Sequence, residues 1–100
     1  NIYPQETENL LVTHPKVADC AVIGVPNEEF GEEVKAIIEP INWAEANEDL
    51  EEELINFCKE KIASFKVPRK IHIVESIPRT ATGKIQRRIV AEVITGRSSN

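Results

Sequence analysis

The sequence predicts an α+β domain, a small three-stranded mixed sheet packed with about three helices. Three observations lead there. Two apolar stretches rich in β-branched residues lie on either side of residues 26–32, as a strand pair would. Leu50, Leu54, Cys58 and Ile62 recur every four residues with Ile55 beside them, which makes one apolar helix face. A short alternating stretch and a last apolar-periodic run follow. The element order is therefore helix, strand, strand, helix, strand, helix, with helices covering the apolar faces of the sheet. One hundred residues with 41% hydrophobic content suit a single domain with a modest core.

Each element has a local reason. Pro4 suits the first turn of a helix, where its missing N–H costs nothing, and Glu6 and Glu8 suit the positive end. That helix is expected over Pro4 to Thr13, stopping before His14-Pro15. Val17 to Val25 reads as a buried strand ended by Pro26-Asn27, and Glu28 to Gly31 as a loop. Glu33 to Ile41 is the second strand, with Pro40 marking a sheet edge or a strand end. Asn42 to Glu48 is polar apart from Trp43 and is expected to be a loop. Asp49 with Glu52 resembles a capping box, with Asn47 an alternative cap. The helix so begun is expected to end near Ala63-Ser64, before Val67-Pro68. Lys70 to Glu75 alternates, Ile71 and Ile73 facing one way, His72 and Val74 the other. A last helix spans about Gln86 to Ile94 and stops at Gly96, leaving residues 97–100 as a frayed tail.

Composition excludes several classes. No run of 18 apolar residues exists, so no membrane span is expected, and Asn1-Ile2-Tyr3-Pro4 is no signal peptide. Cys20 and Cys58 sit in apolar surroundings without metal or redox spacing, which predicts buried free thiols, a reducing compartment and a cytoplasmic location. His14 and His72 are too far apart in sequence to suggest zinc, and Glu51-Glu52-Glu53 reads as a solvated helix face. Residues 1–60 hold 3 Lys/Arg against 15 Asp/Glu, a balance of −12, and residues 61–100 hold 9 against 2, a balance of +7. Without interleaved aromatics the basic end predicts no nucleic acid. A small anion or an acidic partner surface fits it better.

The chemistry concentrates in Pro78-Arg79-Thr80-Ala81-Thr82-Gly83-Lys84-Ile85-Gln86-Arg87-Arg88. Proline, two threonines and glycine shape the backbone, and Lys84 follows as a mobile point charge suited to a phosphate or carboxylate oxygen. It is no P-loop: Ile85 stands where Ser/Thr should be and Pro78 where the first glycine should be.

With Asn1-Ile2-Tyr3-Pro4-Gln5-Glu6-Thr7-Glu8, His14-Pro15-x-Val17, Gly31-Glu32 and Phe65-Lys66-Val67-Pro68, this segment resembles the ordered motifs of the C-terminal domain of adenylate-forming enzymes. These are the acyl-CoA synthetases, adenylation domains and luciferases. Thr7 departs from the family's Ile/Val, while Arg79 and Thr82 replace Lys and Ser. The resemblance covers nearly all of residues 1–100. It implies a lid domain that alternates between two orientations in an AMP-forming ligase: a carboxylic acid and ATP give an acyl-adenylate, then coenzyme A takes the acyl group. Lys84 would serve the first step, with Thr80, Thr82 and Gly83 shaping its loop. ATP, Mg2+ and coenzyme A would be bound mainly by an N-terminal domain, with none expected on this domain alone. Lys59 falls where some relatives hold the coenzyme A phosphate. Val12, His14 and Val17 match a main-chain cation turn of some acetyl-CoA synthetases. Acetylation of the family lysine implies an acetyltransferase and a deacetylase as partners.

The family's hinge hairpin lies upstream of the motif at Asn1, so a fragment is expected, inactive by itself. A carrier-protein-loading adenylation domain and a non-catalytic docking module using the basic end are the alternatives. The finish soon after the last helix favours a free-standing synthetase. The acid itself is not legible.

Overall fold

A computed structural model of the chain describes residues 3–29 and 31–96. Asn1, Ile2 and the expected frayed tail lie outside the described residues. Among these residues three α-helices and three strands follow the expected order: α1 (Pro4–Leu11), β1 (Val17–Asn27), β2 (Gly31–Pro40), α2 (Glu48–Lys59), β3 (Lys70–Ile73) and α3 (Arg87–Thr95). The sheet order is β1-β2-β3. The β1–β2 pair is antiparallel and β2–β3 is parallel, because α2 carries the chain back across the sheet before β3 begins.

The sheet is covered on both faces. On one, Cys20, Val22, Val34, Ala36, Ile38 and Ile71 pack with Leu11 of α1 and Leu50, Leu54 and Cys58 of α2. On the other, Ala21 and Ile37 pack with Ile77 and with Val90 and Ile94 of α3. Two covered faces explain why the strands read as nearly continuous apolar runs rather than strict alternations. Ile71 and Ile73 belong to the first layer and Val74 to the second, as the alternation requires.

Several boundaries move, each for a local reason. Helix α1 ends at Leu11, not Thr13, because the Thr13 N–H bonds the Leu10 carbonyl and tightens the last turn. Strand β1 runs through Pro26 to Asn27, since an edge strand tolerates a missing N–H. Pro40 closes β2, the central strand, so it marks a strand end. The cap of α2 is Asn47, not Asp49: its Oδ1 accepts the Leu50 N–H at 3.0 Å. Helix α2 ends at Lys59, well before Ala63-Ser64, where the N–H groups of Lys61 and Ile62 both turn back to the Cys58 carbonyl. The expected loop after β2 holds a 3-10 turn at Trp43–Glu45. Strand β3 stops at Ile73, two residues short of Glu75. Gly96 caps α3 at φ 73°, as its position suggested.

Glu51 is more than a solvated carboxylate. Its Oε2 accepts the Ile71 N–H at 3.0 Å and its Oε1 meets Lys70 Nζ at 3.2 Å, closing the outer edge of β3. Across the sheet, Glu8 Oε2 accepts the Val22 N–H of β1 at 2.9 Å.

Candidate functional site

Residues 78–88 comprise a short hairpin after β3 and the first residues of α3. Arg79 and Ile85 face each other in an antiparallel bridge. Inside it the Thr80 N–H bonds the Lys84 carbonyl at 2.7 Å, and the Gly83 N–H bonds the Thr80 carbonyl at 2.9 Å. The Lys84 N–H donates to Thr80 Oγ1 at 3.1 Å, and Thr80 Oγ1 lies 3.0 Å from Thr82 Oγ1. Gly83 sits at φ 87°, a conformation that costs an L side chain roughly 1–2 kcal/mol. The hairpin is anchored on both sides. Buried Ile77 precedes it, its N–H on Glu39 Oε1, and Ile85 and buried Val90 follow on the same core.

Four cations line this segment, and their partners separate them. Arg79 pairs with Asp19 of β1, Arg87 with Glu8 of α1 at 3.2 Å, and Arg88 with Glu92 at 2.9 Å. Lys84 is exposed and enters no ion pair among the described residues. One uncompensated ammonium therefore stands on a backbone closed by its own hydrogen bonds. That arrangement suits an anionic oxygen arriving from outside the domain.

The same pairings correct the reading of the basic end as a docking patch. Lys66 meets Glu6 at 2.9 Å, Lys70 meets Glu51, and Arg79 and Arg87 reach Asp19 and Glu8. The acidic first part of the chain thus neutralises much of the basic last part across the fold.

The other singled-out residues fall elsewhere. Lys59 closes α2 in the first layer, exposed, whereas Lys84 leads into α3 in the second, so the fold does not bring the two together. Val12, His14 and Val17 lie at the α1–β1 turn. The His14 carbonyl accepts the Val17 N–H at 3.1 Å, and the buried imidazole is fully occupied. Its Nδ1 accepts the Lys16 N–H, its Nε2 lies 3.1 Å from Glu53 Oε2, and its ring stands edge-on to Phe57 at 4.8 Å. Lys16 hydrogen-bonds Glu53, which lowers the Glu53 carboxyl pKa and raises that of the lysine. Both side chains are partly exposed. A depression of about 590 Å³ beside them is lined by His14, Asp49, Glu52, Glu53, Asn56, Phe57 and Glu60. Among the described residues no group of three or more His, Cys, Asp or Glu could hold a metal ion.

Sequence reasoning missed Asp19, Glu8 and Gln86 as supports of this region. The Gln86 side chain donates to the Arg79 carbonyl at 3.0 Å. Glu8 and Arg87 do lie at the two ends of the recognised motifs, which was the one available signal.

A two-faced three-stranded sheet with a lysine hairpin before its last helix defines a class. The chain belongs to the AMP-binding enzyme C-terminal domain family, which matches residues 6–84. It is 46% identical over 91 residues to a probable CoA ligase of Humulus lupulus, covering 91% of this chain and 17% of that protein. It is 48% identical over 92 residues to a medium-chain acyl-CoA ligase of Danio rerio, covering 92% of this chain and 15% of that protein. Among solved structures, a Mycobacterium tuberculosis fatty acyl CoA synthetase aligns with a TM-score of 0.81 at 34% identity, over 96% of this chain and 18% of that one. ATP-bound MatB from Rhodopseudomonas palustris aligns with a TM-score of 0.81 at 33% identity, over 93% and 18%. The chain thus spans less than a fifth of the length of these relatives.

Proposed function

We propose that residues 1–100 are the single C-terminal lid domain of an ATP-dependent, AMP-forming acyl-CoA synthetase, and that Lys84 serves its adenylation step. One observation carries this reading: Lys84 is the cation of the 78–88 segment with no carboxylate among the described residues, and it stands on a hairpin of defined shape. The names of the relatives as CoA ligases support coenzyme A rather than a carrier protein as acceptor.

In the reaction, a substrate carboxylate attacks the α-phosphate of ATP and pyrophosphate leaves; the thiol of coenzyme A then attacks the acyl carbon of the acyl-adenylate, forming the thioester and releasing AMP and a proton. Negative charge builds on the α-phosphate oxygens during the first attack. An ammonium held at those oxygens and at the carboxylate offsets that charge and orients both reactants. Arginine would fit poorly, because a planar fork cannot replace a slim point charge between two reactants. Thr80, Thr82 and Gly83 hold the loop without reacting. The N-terminal domain would bind ATP, magnesium and the acid. The described residues offer no side-chain cluster for the metal, so Val12, His14 and Val17 could contribute only main-chain oxygens. Lys59, exposed on the other layer, suits a phosphate of coenzyme A once the domain has turned. Acetylation of Lys84 would remove the charge that the first step uses, which would make a lysine acetyltransferase and a deacetylase its regulators.

The test is Lys84→Ala in the full-length enzyme. ATP–pyrophosphate exchange should fall by about 10²–10³, while thioester formation from preformed acyl-adenylate should survive. Near-normal exchange would overturn the assignment.

A further inference from the structure

Arg79 is built into the Lys84 hairpin in a way that no surface arginine needs. Its Nη1 donates to the Gly83 carbonyl at 2.6 Å, the peptide group immediately before Lys84. Its Nη2 pairs with Asp19 Oδ2 at the start of β1. Its own carbonyl receives the Gln86 side chain, and its backbone bridges Ile85. The Arg79 guanidinium thus spans from the tip of the hairpin to the sheet. Asp19 is in turn held: its Oδ1 accepts the Cys20 N–H at 2.9 Å, and the β1 register shifts between Val17 and Asp19. Such an irregularity re-aims a side chain at a sheet edge.

We propose that Arg79 and Asp19 are positioning residues for Lys84: they clamp the hairpin to β1 and fix where the lysine ammonium stands. This rests on the role proposed above for Lys84. The physical case is the shape of the group. Two nitrogens of one rigid plane reach two acceptors on different elements, the Gly83 carbonyl and the Asp19 carboxylate. A lysine would have to serve both from a single flexible nitrogen. Without the clamp the hairpin keeps its anchors at Ile77 and Ile85, but its tip loses the tie to β1 and its internal hydrogen bonds open more often. A misplacement of about 1 Å at a catalytic group costs up to about 10²-fold in rate.

The experiment compares Arg79→Ala, Arg79→Lys and Asp19→Asn with Lys84→Ala in the full-length enzyme, by amide hydrogen exchange over residues 80–85 and by the two half-reactions. Expected for Arg79→Ala and Asp19→Asn is exchange faster by about tenfold over 80–85 and little changed elsewhere. Adenylation kcat should fall about 10- to 100-fold with KM for ATP little changed. Thioester formation from preformed acyl-adenylate should be kept. Arg79→Lys, the residue of the family pattern, should rescue only in part, because its single nitrogen can hold one of the two acceptors, and Arg79→Ala should cost nothing further on the Lys84→Ala background. Unchanged exchange over 80–85, full rescue by Arg79→Lys, or equal loss in both half-reactions would overturn the clamp. Intact adenylation in Lys84→Ala would instead overturn the role of the lysine, leaving the clamp to be judged by hydrogen exchange alone.

Discussion

Glu8 and Arg87, 79 positions apart, form a two-point ion pair that closes the edge of β1 at one residue. Arg87 Nη2 lies 3.2 Å from Glu8 Oε1 and Arg87 Nη1 lies 3.3 Å from Glu8 Oε2. Both also hold Val22: the carboxylate accepts its N–H at 2.9 Å, and the guanidinium donates to its carbonyl at 3.5 Å. The pair joins α1 on one face of the sheet to the start of α3 on the other, around the strand edge. Glu8→Ala would leave the Val22 N–H and the arginine without their shared partner. The expected cost is about 1–3 kcal/mol, read as a lower urea midpoint. Arg87→Lys should cost less than Glu8→Ala, because Val22 keeps its carboxylate.

His72 makes stability depend on pH. Burial lowers its pKa below the ordinary 6.5, helped by Lys70 and Lys35 and opposed by Glu51 and by a hydrogen bond to the Ile94 backbone. Its Nε2 is buried without a hydrogen-bond partner. Below the ordinary pKa the unfolded chain takes up the proton first, so stability is present above pH 6.5 and is lost as the pH falls through the lower folded value. Melting temperatures at about pH 7.5 and about pH 5.5 check this. The wild type should lose more over that interval than His72→Gln.

The two cysteines should be silent in the native state. Burial pushes the Cys20 thiol up to about 12 and Cys58 up to about 11, and both are free. At about pH 8 neither carries appreciable thiolate. A thiol-specific disulfide reagent should label neither in the folded protein and both in guanidinium. Rapid native labelling would show that this face of the sheet opens.

Gly83 should tolerate volume but not handedness. Nothing lies within 4 Å of an added Cβ, yet φ is 87°. Gly83→Ala should therefore strain the hairpin by roughly 1–2 kcal/mol, and Gly83→Asn should strain it less because asparagine enters that region more readily. In the full-length enzyme, pyrophosphate exchange should fall more for alanine than for asparagine, and the melting temperature should fall in the same order.

Asn47 should outweigh Asp49 at the start of α2. Only Asn47 accepts an orphan helix N–H, that of Leu50. Asn47→Ala should cost about 1 kcal/mol, and Asp49→Ala less, in denaturant unfolding.

Local patterns made most of the fold legible. The four-residue spacing from Leu50 to Cys58 located α2, and alternation at Ile71 and Ile73 located β3 and put those two in one layer. Gly96 marked the end of α3. Boundaries moved where neighbouring signals competed: Asp49 offered a capping box, yet Asn47 held the bond. Lys84 stood out only as one charge in a shaped loop. Its distinction from Arg79, Arg87 and Arg88 depends on which cations find carboxylates, and Asp19 and Glu8 lie far off in sequence.

The order of elements, the α+β class and the motifs that mark the family are local properties, because periodicity, caps and turn residues act within a few positions. The charge pattern of the surface arises only when the chain folds. The acidic first part folds onto the basic last part, Glu8 and Glu51 close the two sheet edges, and Arg79 ties its hairpin to Asp19. These pairings follow from distances between residues remote along the chain. They leave Lys84 as an exposed charge held in place by its loop and compensated by no carboxylate among the described residues.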